Sequence, residues 1–135
     1  MAVDARRIKL DPDPGEPFRI AQGYRVGDLV IVSGQAAIDE QGQLVGVGDF
    51  DAQAEQAFAN LRRTLEAAGS SLDKIVKVTI YLTDMSNFPK IVELRGRHFT
   101  EPWPADTIVG VTALALPELE IEIEAIALAD GEVLA

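Results

Sequence analysis

Four glutamates, Glu118, Glu120, Glu122 and Glu124, alternate with Leu119, Ile121, Ile123 and Ala125 near the end of the chain. In an extended strand successive side chains point to opposite faces, which predicts all four carboxylates on one face, roughly 7 Å apart. Like charges at that spacing repel, modestly in water and more strongly where water is excluded. Two readings of the row are open. It is the solvated face of a half-buried sheet, with a partner such as Lys77 on a neighbouring strand, or one glutamate sits in a pocket. Burial would raise the pKa of that glutamate and suit it to general acid–base work or to positioning a water.

The other chemistry-bearing residues are sparse. Ser33, in Ser33-Gly34-Gln35, is a nucleophile only with a base beside it. The one histidine, His98, falls on a separate predicted helix and reads as a surface or helix-end residue. A lone histidine with dispersed carboxylates offers no ligand spacing for zinc. There is no Walker-type phosphate loop, and Gly46 and Gly48 in GVGDF are too weak a pattern for a nucleotide fingerprint. Trp103, between Pro102 and Pro104, is either a packing anchor in an extended loop or an aromatic pocket wall.

The elements that would position these groups follow from periodicity and punctuation. Pro12, Pro14, Gly15 and Pro17 mark an N-terminal loop. Phe18 to Arg25 and Leu29 to Ser33 read as strands about a Gly27-Asp28 hairpin turn, with Gln35 to Ile38 as an extension and Leu44-Val45 as a short return. Asp51 to Ala68 is the clearest helix: Ala54, Phe58, Leu61, Leu65 and Ala68 share one face, Asp51 is placed to cap it, and Gly69 follows its end. Ile75 to Thr83 alternates as a strand. Asp84 or Ser86 can cap a second helix reaching about Phe99, with Pro89 in its first turn. Thr107 to Ala113 and Leu119 to Leu128 are the last two strands. The order β-β-(β)-α-β-α-β-β predicts an α/β (α+β) fold, one mixed sheet with both helices on one face. Its other face would be covered by copies of the chain in a symmetric oligomer, with ligand clefts between subunits.

Composition narrows the function classes. The chain has 135 residues, 47% of them hydrophobic, enough for a core without disulfides or metals. It has no cysteine, so thiol nucleophiles, cysteine–zinc sites and iron–sulfur clusters are excluded. The net charge of −10 and scattered Lys and Arg argue against nucleic acid and against an anionic membrane surface. Met1 to Leu10 shows no apolar signal segment, and no apolar run is long enough to span a bilayer. A cytoplasmic protein is the default expectation.

In order and spacing these segments resemble the Rid (RidA/YjgF, reactive intermediate deaminase) family. The resemblance is carried by Gln22-Gly23, Val32-Ser33-Gly34-Gln35, Ala52-Gln53-Ala54 through Asn60 to Ala67-Ala68-Gly69, and Ile75-Val76-Lys77. It continues in Asp84 through Phe88, Pro104-Ala105, and Leu116-Pro117 with Ile121-Glu122-Ile123-Glu124-Ala125-Ile126-Ala127. It covers about Phe18 to Leu128, so residues 1–135 read as a single Rid-like domain. The resemblance implies a chorismate-mutase-like fold, a six-stranded mixed sheet with two helices on one face, in a homotrimer with three clefts between subunits. It also implies hydrolysis of enamines and imines such as 2-aminoacrylate to 2-keto acids and ammonia, with no cofactor and no metal. In the core members an arginine after the Pro-Ala holds the substrate carboxylate and the first glutamate of IEIEA positions the attacking water. A Ser-Gly, a tyrosine and a backbone amide two residues beyond the arginine line the pocket.

Carried over by position, Ser33, Gly34, Glu122 and the Ile108 amide match. The arginine position is Asp106, and the tyrosine position is Ile20. The chain therefore resembles the Arg-lacking Rid subgroups. Arginine offers a carboxylate a permanent bidentate fork, whereas an aspartate there reverses the charge. With Glu122 nearby the pocket would hold two carboxyl groups and would favour a cation, an amine or a neutral donor-rich ligand, unless Arg19, Arg97 or a neighbouring subunit restores a positive charge. The expected function is a Rid-type deaminase with altered substrate choice, acting through Glu122 and a water. The alternative is a non-catalytic trimer that binds or senses a small molecule. The ribonuclease role attached to the family is disfavoured by the acidity and by the single histidine.

Overall fold

The computed structural model describes residues 1–135. Six strands, β1 (Ala5–Arg7), β2 (Gly23–Val26), β3 (Leu29–Ala36), β4 (Ile75–Leu82), β5 (Ala105–Gly110) and β6 (Ile121–Leu128), form one sheet in the order β1-β2-β3-β6-β4-β5. Every neighbouring pair is antiparallel except β4 and β5, which are parallel. Helix α2 (Phe88–His98) makes the crossover that a parallel pair requires. Helix α1 (Phe50–Ala67) joins β3 to β4, and β6 lies between those two strands.

The alternation of β6 sets which face is the core. Ile121, Ile123, Ala125 and Ala127 are buried, while Glu122, Glu124, Ile126 and Leu128 between them are only partly covered. Val78, Ile80 and Leu82 of β4 and Val30 and Val32 of β3 join the buried set. Ala54, Phe58, Leu61 and Leu65 of α1 and Ile91 and Leu94 of α2 pack on it, in a cluster of 21 buried residues. The two helices lie side by side on that face, where the Phe58 ring stacks on His98 at 4.2 Å and meets Phe99 edge-on at 5.5 Å.

Several boundaries differ from those expected. Residues 16–18 form a short 3-10 turn with Pro17, its φ fixed, as the second residue, and Arg19 is left-handed at φ 60°, so the second strand starts only at Gly23. The three-residue edge strand β1 is too short to show a period, and it pairs Arg6 with Arg25 where a plain loop was expected. The cap of α1 is Asp49, not Asp51: its backbone is extended and its carboxylate accepts from the Ala52 N–H at 3.1 Å. Asp84 caps a 3-10 turn, Met85–Asn87, that runs directly into α2. The return expected at Leu44-Val45 is a single bridge from Ile38 to Leu44.

Candidate functional site

Two residues of β3 oppose one of β6. Val32 pairs with Ala125 and Gln35 with Ile123, so Ser33 and Gly34 together face Glu124 in a β-bulge. The bulge is pinned from behind. The Ser33 N–H donates to the Gln22 carbonyl at 2.9 Å. The buried Gln35 amide donates to Gln22 Oε1 and to the Ser33 carbonyl, each at 3.0 Å. Gln22 and Gln35 belong to the family resemblance, but nothing in their spacing assigned them this role.

The bulge makes room for Glu122. A Cβ placed on Gly34 would stand 2.4 Å from a carboxylate oxygen of Glu122, well inside any real contact. The φ of Gly34 is not left-handed, so the glycine is required for space and not for conformation. Glu122 lies on the helix-free face between Ala36 of β3 and Tyr81 of β4. Burial, and then the charge of Glu124, push its carboxyl pKa above the ordinary glutamate value. Glu124 is itself engaged by the Tyr81 hydroxyl, which donates to it and whose own pKa rises, first through that hydrogen bond. Tyr81 was legible as part of the alternating face Lys77, Thr79, Tyr81, but not as a partner of this site.

The row of four glutamates is therefore shorter than expected. Glu118 and Glu120 precede β6 and are gripped from the helix side by Gln53 of α1. Its amide donates to the Glu118 carbonyl at 2.9 Å and to Glu120 Oε2 at 3.3 Å, and its carbonyl accepts from the Glu120 N–H at 2.9 Å. Lys77 does not pair with the glutamates; its ammonium donates to Thr107 Oγ1 at 2.6 Å. Ser33 has no histidine base, because His98 lies across the sheet, stacked on Phe58 and 3.2 Å from Glu55.

Within one chain, Asp106 and Glu122 do not meet. Asp106 pairs in register with the buried Val78 and so points to the helix face, two strands from Glu122. A positive charge beside Asp106 comes from Arg95 of α2, a residue not among the candidates, whose Nε donates to Asp106 Oδ2 at 2.8 Å. Arg97 instead pairs with Glu55. Arg95 follows Ile91 by four residues, on the helix face that carries Ile91 and Leu94, and that phase was the available signal. Beside this pair opens a cavity of about 600 Å³, lined by Val92, Gly96, Phe99 and Trp103 among others. Trp103 is 48% exposed there, as the aromatic wall of a cavity. The Val111 N–H donates to the Leu82 carbonyl. The alternation of a parallel ladder then turns the Thr107 and Val109 amides to β4 and leaves those of Asp106 and Ile108 on the open sheet edge.

Comparison with known proteins agrees over most of this chain. Residues 11–129 match the family described as Endoribonuclease L-PSP. A RutC family protein of Pyrococcus abyssi is 41% identical over 128 residues, 94% of this chain and 98% of its own. A 2-iminobutanoate/2-iminopropanoate deaminase of Dermatophagoides farinae is 33% identical over 117 residues, covering 87% of this chain and 89% of its own. The crystal structure of RidA from an Antarctic Psychrobacter superposes with a TM-score of 0.82 at 37% identity, covering 91% of this chain and 98% of that one. The bulge at Ser33-Gly34, the IEIEA strand beside it and the strand order thus sit in a chain that belongs to the Rid (RidA/YjgF) family.

Proposed function

We propose that this protein hydrolyses the C=N bond of an imine, or of an enamine after tautomerisation, using Glu122 and a water. The observation that carries the reading is the half-buried Glu122 carboxyl in the space left by Gly34, with a raised pKa and no cation of its own chain against it. Such a group can take a proton from a water as its oxygen bonds to the imine carbon and pass it to the nitrogen, then carry the second proton from the new hydroxyl to the nitrogen as the carbonyl forms and the C–N bond breaks. The products are a carbonyl compound and ammonia, and the balance needs no cofactor and no metal. Ser33, Gly34 and the outward Ile108 amide supply the polar lining, and Asp106 shifts substrate choice away from that of arginine-bearing relatives. The name of the Dermatophagoides relative, a deaminase of 2-imino acids, supports the reaction class.

The working unit in this proposal is a homotrimer that places Glu122 of one copy in a cleft with the β5 edge of the next. Tyr24, Leu29, Ile31 and Val109 are each 37–45% exposed, an apolar set in need of cover. Light scattering should return three times the 14.6 kDa chain mass, and a stable monomer at micromolar concentration would exclude this arrangement. The ligand is a small molecule; the acidity of the chain disfavours nucleic acid. No helix is long and apolar enough to cross a membrane.

Activity is tested by generating imines in situ with an amino acid oxidase and following ammonia release across a panel of amino acids. Glu122→Gln should lower the rate by about 10²-fold or more, while leaving the fold intact. A second reading, a binding or regulatory trimer without chemistry, is favoured by the charge reversal at Asp106. It prevails if no imine in the panel is hydrolysed above the uncatalysed rate.

A further inference from the structure

We infer that Tyr81 is a positioning residue that decides which of two neighbouring carboxyls does the chemistry: its hydroxyl holds Glu124 as a fixed charge and leaves Glu122 to gain and lose the proton. The catalytic meaning of this division rests on the hydrolase reading above; the division itself does not. Its geometry follows from strand register. Glu122 and Glu124 are two apart on β6 and share the helix-free face, about 7 Å from one another along the strand. Tyr81 of β4 stands directly opposite Glu122, and Thr79 directly opposite Glu124. The Tyr81 hydroxyl passes its direct neighbour and donates to Oε1 of Glu124, on the diagonal that a long aromatic side chain can span.

No cation of the chain intervenes. None of its ion pairs reaches either glutamate. On β3, Ser33, Gly34 and Ala36 bring no charge to them. Lys77, the cation on the same face of β4, donates to Thr107 Oγ1. Two carboxylates this close carry both charges only at a cost, so their first proton goes to one or the other. A donor fixed on one carboxylate favours the charged form there and sends the proton to its neighbour. Tyr81 supplies that donor and keeps its own proton: the phenol pKa is raised, first by the bond to Glu124, then by burial and by the charges of Glu124 and Glu122. Glu122 shows the counterpart, a pKa raised by burial and then by Glu124. The proton is thereby assigned to the carboxyl that occupies the space left by Gly34. A phenylalanine at position 81 would fill the same volume and leave the choice between the two carboxyls open.

The test is carbon NMR on protein labelled at the glutamate side-chain carboxyls, titrated beside the pH profile of ammonia release. In the wild type the Glu122 carbon should carry the step at higher pH, with Glu124 silent through it. Tyr81→Phe keeps the ring and removes the donor. The two carboxyls should then titrate as a coupled pair, each carbon moving in both steps. Glu124→Gln keeps an acceptor for the hydroxyl and removes the charge. The Glu122 step should fall by about half a pH unit or more, and the acid limb of kcat/KM should fall with it. A Tyr81 that served packing alone would lower the melting temperature on substitution and leave the order of the two carboxyls as it was. The inference is overturned if Glu124 stays silent through the Glu122 step in Tyr81→Phe, or if the Glu122 step does not fall in Glu124→Gln. Carboxyl steps that move as stated, without imine turnover or with an acid limb that ignores them, would sink the hydrolase reading and leave the assignment of the proton standing. An acid limb that follows Glu122, with neither carbon altered in Tyr81→Phe, would do the reverse.

Discussion

Glu122 and Asp106 hang from opposite faces of one sheet, and their surroundings treat the two carboxyl groups in opposite ways. Glu122 is on β6, flanked by strands on both sides, half-buried, with Glu124 as the nearest charge. Asp106 is on β5, the edge strand, and α2 delivers Arg95 to it across 2.8 Å. One carboxyl is answered by a raised proton affinity, the other by a fixed counter-charge. A carboxyl of the first kind holds its proton more tightly than an ordinary glutamate and suits bond-making chemistry. One of the second kind is spent on orienting its partner and suits recognition.

The sharpest way to break this contrast is Gly34→Ala. The new methyl would displace the far end of the Glu122 side chain and not backbone, so the fold should give way cheaply. Imine turnover should fall by about 10²-fold, comparable to losing the acid–base group, with little change in melting temperature. Unchanged turnover would mean that the recess holds no catalytic group. A smaller effect is expected from Asp106→Asn, which keeps the shape and removes the charge that orients Arg95. The pair is partly exposed, so the loss in unfolding free energy should be about 1 kcal/mol, read from urea denaturation. A loss near zero would place the pair with ordinary surface contacts.

The smallest effect concerns pH. The folded-state pKa of Glu122 is raised above its ordinary value near 4.5, so its contribution to stability is fully present below that value and is lost as pH rises through the folded pKa. Glu122→Gln does not titrate. Its melting temperature should match wild type near about pH 4 and exceed it by a few degrees by about pH 8. A difference that shrinks with rising pH would reverse the assignment.

Much of this architecture is legible in the residues, and the exceptions have physical causes. The alternation from Ile121 to Leu128 and the apolar stripe of α1 are long enough to fix both elements and their buried faces. Asp49 and Asp51 both suit a helix start, and only the extended backbone of Asp49 after Gly48 separates them. Ser33, Gly34 and Glu122 come together because a bulge shifts the register by one, which periodicity alone does not reveal. The relation of Asp106 to Arg95 is lost for another reason. A parallel crossover brings residues 11 apart into contact, and the choice among Arg95, Arg97 and Arg19 depends on helix phase rather than on charge.

The place of β6 in the sheet has a consequence for how the chain is made. Synthesis runs from the N-terminus, yet the strand that joins β3 to β4 is the last of the six to appear. Until Ile121 to Leu128 has emerged, β3 and β4 each present an unpaired edge to the cell, one with Val30 and Val32 and the other with Val78 and Ile80. The Gln53 clamp on Glu120 spans 67 residues and is equally late. The sheet is thus keyed shut from the middle at the end of translation, and a nascent chain has the most reason to need shelter just before it is finished.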